Sequence, residues 1–328
     1  MRSLVRLLLL GVGVLVAFLV AVRVGAVPLS IGEILRAARG IGDSTTVTIV
    51  RELRLPRSLQ AGLVGAALAA SGATFQALLR NPLAEPYILG ISGGAAVGAV
   101  MAVVLGWAAV AAWAVPVAAF AGAILAILLV LRIAASAGRS LDTRVLLLAG
   151  VVVGAFFNAC ILLALVLADA ESFRSAIFWM MGSLSGASWR GTLILALYLL
   201  PALLILLALA RPLNLMAIGE DTAAYLGTHV ERTKLLAYGT ASLLTAAAVA
   251  VSGIIGFVGL IIPHVIRLLW GSNYRFLIPA SALLGAAFLM LADALARIAA
   301  APTELPVGVV TAFVGVPFFV WLLRRRVA

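Results

Sequence analysis

The sequence predicts an all-α, polytopic membrane protein with about ten transmembrane helices, a single domain over residues 1–328 with both termini cytoplasmic. Three observations carry that expectation. Hydrophobic residues make up 65% of the chain and charged residues 11%, with a mean hydropathy of +1.23, too little polar surface to cover a water-soluble fold. The apolar residues gather into runs of membrane-spanning length. Within those runs glycines stand four apart, at Gly90, Gly94 and Gly98 and again at Gly150 and Gly154. That spacing stacks them on one helical face and lets backbones touch in lipid.

The apolar runs lie near 4–24, 58–79, 87–107, 109–131, 145–168, 191–210, 235–252, 254–271, 277–296 and 306–323. Their even number returns the chain to its starting side. Arg2, Arg6 and Arg324-Arg325-Arg326 assign that side to the cytoplasm, with about 14 basic residues facing inward and about 9 outward. The first run has full spanning length and reads as a retained helix rather than a cleaved leader. Six basic residues, Arg23, Arg36, Arg39, Arg51, Arg54 and Arg57, fall in the first external loop against that trend. Snorkelling toward the headgroups accounts for Arg23, Arg36 and Arg39; an acidic partner on the far side is the other reading of such a cluster. In the same loop Ser30 with Glu33 forms a capping-box pattern, and Ile31, Ile34 and Leu35 share a face, so a short interfacial helix is expected.

The second run breaks at Asn81-Pro82-Leu83, because proline lacks a backbone donor and biases its predecessor away from helix. Such a break is tolerated at membrane depth only beside protein or a watery path. Between the fourth and fifth runs, Ser140, Asp142 and Thr143 suit a helix cap in a polar turn. The fifth run carries Asn158 in mid-membrane, an amide that either pairs with a neighbouring helix or lines a wet path. Cys160, the only cysteine, is a packing thiol in an apolar run. Residues 168–190 read as a short external helix with an interfacial aromatic belt.

Residues 211–234 form the most informative polar segment, a cytoplasmic coupling region in outline: Gly219 before Glu220 and Asp221 starts a short helix, and Gly227 stops it after Leu226. An amphipathic helix on the inner leaflet is the plainer alternative. His264 is read as structural, and Asp293 and Arg297 have the spacing of a helical ion pair. The only lysine, Lys234, is flanked by Thr233 and Leu235, so no P-loop can be built and ATP cannot be hydrolysed here by that motif. No cluster has metal-ligand spacing. A faint repeat pairs Ala70-Ser71-Gly72 and Pro82 with Val251-Ser252-Gly253 and Pro263, marking the two prolines as candidate pore-facing irregularities.

Three blocks carry a family resemblance: LRLPRSL with GAALAASGATFQALLRNPLAEPYILGISGGAAVGA; SGIIGFVGLIIPHVIRLL; and LADALAR with ELPVGVVTAFVGVPFFVWLL. Together they resemble the permease subunits of type II ABC importers, the group that carries iron-siderophores, haem and vitamin B12. The resemblance implies a homodimer with its pore on the two-fold axis. Two copies of a separate ATPase subunit would hold the ATP and Mg, leaving this chain no cofactor, and a periplasmic or lipid-anchored substrate-binding protein would deliver a metal chelate. It implies docking of that protein at Arg54, Arg57 and Arg297, a cytoplasmic gate at Asn81, Leu83 and Thr143, and ATPase coupling through Gly219, Glu220, Ala223, Leu226 and Gly227. Ferric siderophore is the first expectation for the cargo, with cobalamin and haem beside it, in the inner membrane of a bacterium and with no nucleic acid involved. The rival from another class is an ion-driven secondary transporter working alone.

Overall fold

The computed structural model describes residues 2–25, 27–136 and 141–327, and every regular element among them is helical. In chain order these are α1 (Arg2–Arg23), α2 (Ile31–Ala38), α3 (Ser44–Thr48), α4 (Leu55–Leu78), α5 (Ile91–Val104), α6 (Trp107–Val110), α7 (Ala114–Ser136) and α8 (Thr143–Leu167). They continue with α9 (Ala170–Met180), α10 (Trp189–Ala208), α11 (Ala210–Ile218), α12 (Glu220–Tyr225), α13 (Val230–Ser252), α14 (Val258–Trp270), α15 (Tyr274–Ile298) and α16 (Val307–Val327). Among the described residues seven helices are long and apolar enough to cross a membrane, and three shorter apolar ones, α5, α14 and α16 over 307–322, complete the set expected from the sequence. The start of α1 lies beside the close of α14: the Arg6 guanidinium sits 5.9 Å from the ring centre of Trp270.

The most apolar helices are the least buried. In the apolar window of α4, 94% of residues are buried, against 17% in α1. Lipid is as apolar as leucine, so a membrane bundle leaves its bulky aliphatic helices outside and gives its centre to helices whose small residues allow close approach. The centre is α4, whose Gly65 meets Gly285 of α15 so closely that a Cβ on either would overlap the other's carbonyl. Gly72 abuts the Gly259 backbone of α14 in the same way. Gly94 and Gly98 of α5 lie against Gly122 and Ala118 of α7.

Several local expectations are corrected. Gly90 does not share a helical face with Gly94 and Gly98: it is the left-handed residue (φ 77°) between a 3-10 turn, Pro86–Leu89, and the start of α5. The run expected at 109–131 is a helix over 114–136, because left-handed Gly106 (φ 74°), the short α6 and extended Ala111 delay its start. Arg51 to Arg57 are helical rather than looped. A π-helical turn, Ile49–Arg54, leads straight into α4, and this wider turn accommodates Pro56, which has no N–H to give. The second break falls at Gly253–Phe257, not at Pro263, which lies inside α14. Of the residues expected to cap α8, Ser140 lies outside the described residues, and the Asp142 carboxylate accepts from Arg144 N at 2.6 Å.

The expected interfacial helix is α2. The Ser30 hydroxyl accepts from Glu33 N, while the Glu33 carboxylate accepts from the Ser30 hydroxyl and from Ser30 N, both at 2.7 Å. These bonds, the hydroxyl's first, hold the Glu33 carboxyl below the usual carboxylate range.

Candidate functional site

The candidate site extends along the bundle from an external ion cluster, past two broken helices, to a cytoplasmic helix. Between α13 and α14 the helix is broken: α13 ends at Ser252 and the chain runs non-helically to Phe257 before α14 begins. Backbone groups freed in apolar surroundings must find partners, and here side chains and one backbone N–H supply them. Gln60 Nε2 donates to Val251 O at 3.1 Å, and Ser183 N donates to Ser252 O at 2.8 Å. The Tyr87 hydroxyl donates to Ile255 O (2.7 Å) and accepts from Ile255 N (3.1 Å). Glu85 Oε1 accepts from Phe257 N at 2.6 Å, holding that residue in its left-handed conformation (φ 69°). Pro263 cannot bond the carbonyl of Gly259, and Gln76 Nε2 reaches it instead at 3.4 Å, together with Leu260 O at 3.2 Å. The two breaks are thus clasped to each other by Glu85 and Tyr87.

Beside this clasp lies a cleft of about 380 Å³ lined by Tyr87, Ile88, Gly90, Ser92, Gly93, Gly150, Gly154, Asn158 and Ile254, among others. Asn158 is exposed in the wall of this cleft. His264 is buried within α14.

At the external end Arg54, Arg57 and Arg297 converge. Arg57 binds the buried Asp293 carboxylate through Nε (3.1 Å) and Nη2 (3.0 Å), and the more exposed Glu304 through Nη1 (2.8 Å). Arg297 Nε lies 3.2 Å from Asp293 Oδ2, the helical pair expected from the sequence. The other donors of Arg297 go to Ala21 O (2.8 Å) and Val24 O (2.7 Å), while Arg54 donates to Val22 O (3.1 Å), Arg23 O (3.0 Å) and Val27 O. Arg54 and Arg297 therefore satisfy carbonyls at and just beyond the C-terminus of α1, a favourable place for cations, and are only 5% and 6% exposed. Of the three guanidiniums, Arg57, through its pair with Glu304, is the one that reaches the surface.

At the other end, Asn81 Oδ1 accepts from Leu83 N at 3.0 Å, folding the Asn-Pro-Leu turn, and Thr143 Oγ1 donates to Leu78 O at 3.4 Å. These contacts bring the three expected gate residues to the same end of α4. Below them sits α12. It begins after Gly219, buries Ala223 and closes on Gly227 (φ 81°), where Thr228 N and Gly227 N donate to Ala223 O and Ala224 O, both at 2.9 Å. This motif leaves Tyr225 (93% exposed) and Leu226 as an unpartnered apolar tip.

The sequence reading passed over Gln60, Gln76, Glu85, Tyr87, Arg80 and Glu231. Its available signal was chemical: amides and acids inside apolar runs need partners.

A bundle of apolar helices with a buried glycine-packed centre, two clasped helix breaks and a cytoplasmic helix with an apolar tip has the architecture of a multi-pass membrane transport subunit. The chain belongs to the FecCD transport family, whose family model matches residues 13–325. It is 44% identical over 276 residues to the vitamin B12 import system permease protein BtuC of Escherichia coli, covering 84% of this chain and 83% of that one. It is 43% identical over 289 residues to the uncharacterized ABC transporter permease protein YvrB of Bacillus subtilis, covering 88% and 82%. A solved structure described as an inward-facing conformation of a metal-chelate type ABC transporter superposes with a TM-score of 0.87 at 31% identity, covering 97% of this chain and 98% of that one. A second, PsaBC from Streptococcus pneumoniae in complex with Fab, matches the fold alone, with a TM-score of 0.58 at 17% identity over 89% of this chain and 94% of that one. The chain is therefore the permease subunit of a type II ABC importer, a transport component rather than an enzyme.

Proposed function

We propose that two copies of this chain form the pathway of a metal-chelate importer in the bacterial cytoplasmic (inner) membrane, and that the chelate is of the cobalamin type. The observation that carries the permease role is α12, a short helix with a bare apolar tip at the gate end of the bundle. Ferric siderophore was the first expectation from sequence; the 44% identity to a vitamin B12 permease over most of both chains supports the corrinoid instead. A chelated metal needs no ligands from the permease: no group of three or more His, Cys, Asp or Glu residues suited to a metal occurs among the described residues.

The mechanism follows from the parts. A partner ATPase, binding ATP and Mg in its own sites, receives the α12 tip; closure of the ATPase pair moves Gly219, Glu220, Ala223, Leu226 and Gly227 as a unit. That motion opens or shuts the passage at Asn81, Leu83 and Thr143. A binding protein, periplasmic or lipid-anchored, docks its acidic groups around Arg54, Arg57 and Arg297. In that docking Arg57 makes the contact, while Arg54 and Arg297 hold α1 beneath it.

The decisive test is uptake of labelled cyanocobalamin into proteoliposomes holding the permease, its ATPase and its binding protein. Uptake should require ATP and survive a protonophore. Uptake of a ferric siderophore in place of cyanocobalamin would overturn the cargo assignment, and protonophore-sensitive uptake without the ATPase would favour an ion-driven carrier.

Two predictions arise here. Leu226→Asp should weaken ATPase binding by about 2 kcal/mol or more, as loss of a central apolar anchor does. ATPase co-purification measures it, and wild-type recovery would remove the role of the tip. Arg57→Gln, which keeps a donor toward Asp293, should slow association of the binding protein about tenfold at low salt and flatten its salt dependence. Stopped-flow docking rates equal to the parent's would count against this surface.

A further inference from the structure

The only lysine of the chain is 3% exposed at the cytoplasmic end, in a place where burial of an ammonium needs compensation. Lys234 Nζ donates to Glu220 Oε2 at 2.6 Å and to Leu141 O at 2.8 Å, with Glu231 Oε1 3.7 Å away. Glu231 in turn accepts from Leu141 N at 2.9 Å, and Glu220 Oε1 lies 3.4 Å from Arg80 Nη2. Three separate pieces of chain meet at this ammonium, since Glu220 opens α12, Leu141 lies two residues before Thr143, and Glu231 and Lys234 sit in the first turns of α13; a fourth, Arg80 just before Asn81, joins through Glu220. The stem of Lys234 also lines a small cavity with Leu78, Leu79 and Thr143.

We infer that Lys234 is the positioning residue through which displacement of α12 reaches the gate, its ammonium tying the coupling helix to Leu141, just before α8, and, through Glu220, to the turn after α4. The inference deepens the ATPase-driven permease reading and rests on it. Its physical content is directional. Charge-assisted bonds of 2.6 to 2.8 Å are stiff and geometry-specific, so α12 cannot shift without moving Leu141 or breaking a bond to a buried charge. A methionine of similar length fills the same space and carries no such tie.

The test uses the assembled complex with Cys160→Ala and a reporter, Leu83→Cys, whose labelling by a water-soluble maleimide is compared without nucleotide and with a non-hydrolysable ATP analogue. In this parent the two rates should differ. In Lys234→Met the ratio of the two rates should collapse toward one, by about fivefold or more, while the ATPase still co-purifies. Lys234→Arg should restore most of the ratio. A parent-like ratio in Lys234→Met overturns the inference. Should that variant not assemble, Glu220→Gln carries the same expectation, and a parent-like ratio there overturns it equally. A parent that shows no nucleotide response, or binds no ATPase, would instead sink the permease reading beneath it.

Discussion

Asp293→Ala should lower the stability of the folded chain by about 3–5 kcal/mol, the cost of leaving buried charge without its partner. Asp293 is 1% exposed and is shared by two guanidiniums, Arg57 and Arg297, so one substitution strands both. Arg297 keeps its bonds to Ala21 O and Val24 O, but Arg57 keeps only Glu304, which is at the surface and screened. The pair is not expected to be worth that much in itself, because burying two charges costs nearly what their attraction returns. The double variant Arg57→Met with Asp293→Leu should therefore recover most of the loss. Denaturant or thermal unfolding in detergent measures both; a loss under about 1 kcal/mol in Asp293→Ala would show that water already reaches the cluster.

Gly65→Ala should destabilise the bundle by about 1–3 kcal/mol, although alanine is the better helix former, because the added methyl meets backbone rather than a side chain. A Cβ on Gly65 would overlap the Gly285 carbonyl and press on Leu289 Cβ, and neither can rotate away. Helices α4 and α15 would have to separate, losing contact along their length. Gly239→Ala is the control: nothing lies within 4 Å of a Cβ there, so the substitution should be neutral or stabilising. Equal effects at both positions in the same unfolding assay would mean that the α4 and α15 backbones do not touch in the membrane.

Much was legible in the residues. The apolar runs, the turn at Asn81-Pro82-Leu83, the capping box of Ser30 and Glu33, the stop at Gly227 and the Asp293–Arg297 pair all depend on neighbours within a few positions, where spacing maps directly onto geometry. What escaped is long-range. Tyr87 meets Ile255 and Glu85 meets Phe257 across more than 160 positions, and no local pattern announces which carbonyl an amide or hydroxyl will serve. Pro263 shows the same limit: the sequence marks it as a breaker, yet Gln76, far away in α4, supplies the bond that lets the helix continue through it.

The sequence by itself determined that this chain lives in lipid as a bundle of helices and that no P-loop of its own turns over ATP, because composition, period and motif are properties of the chain before it folds. Only the tertiary structure decided what the charged groups do. It turned Arg54 and Arg297 inward onto the carbonyls at the end of α1 and set Lys234 among Glu220, Glu231 and Leu141. The reason is that in a medium without water a charge goes wherever a partner is within reach, and reach is fixed by the packing of helices far apart in sequence.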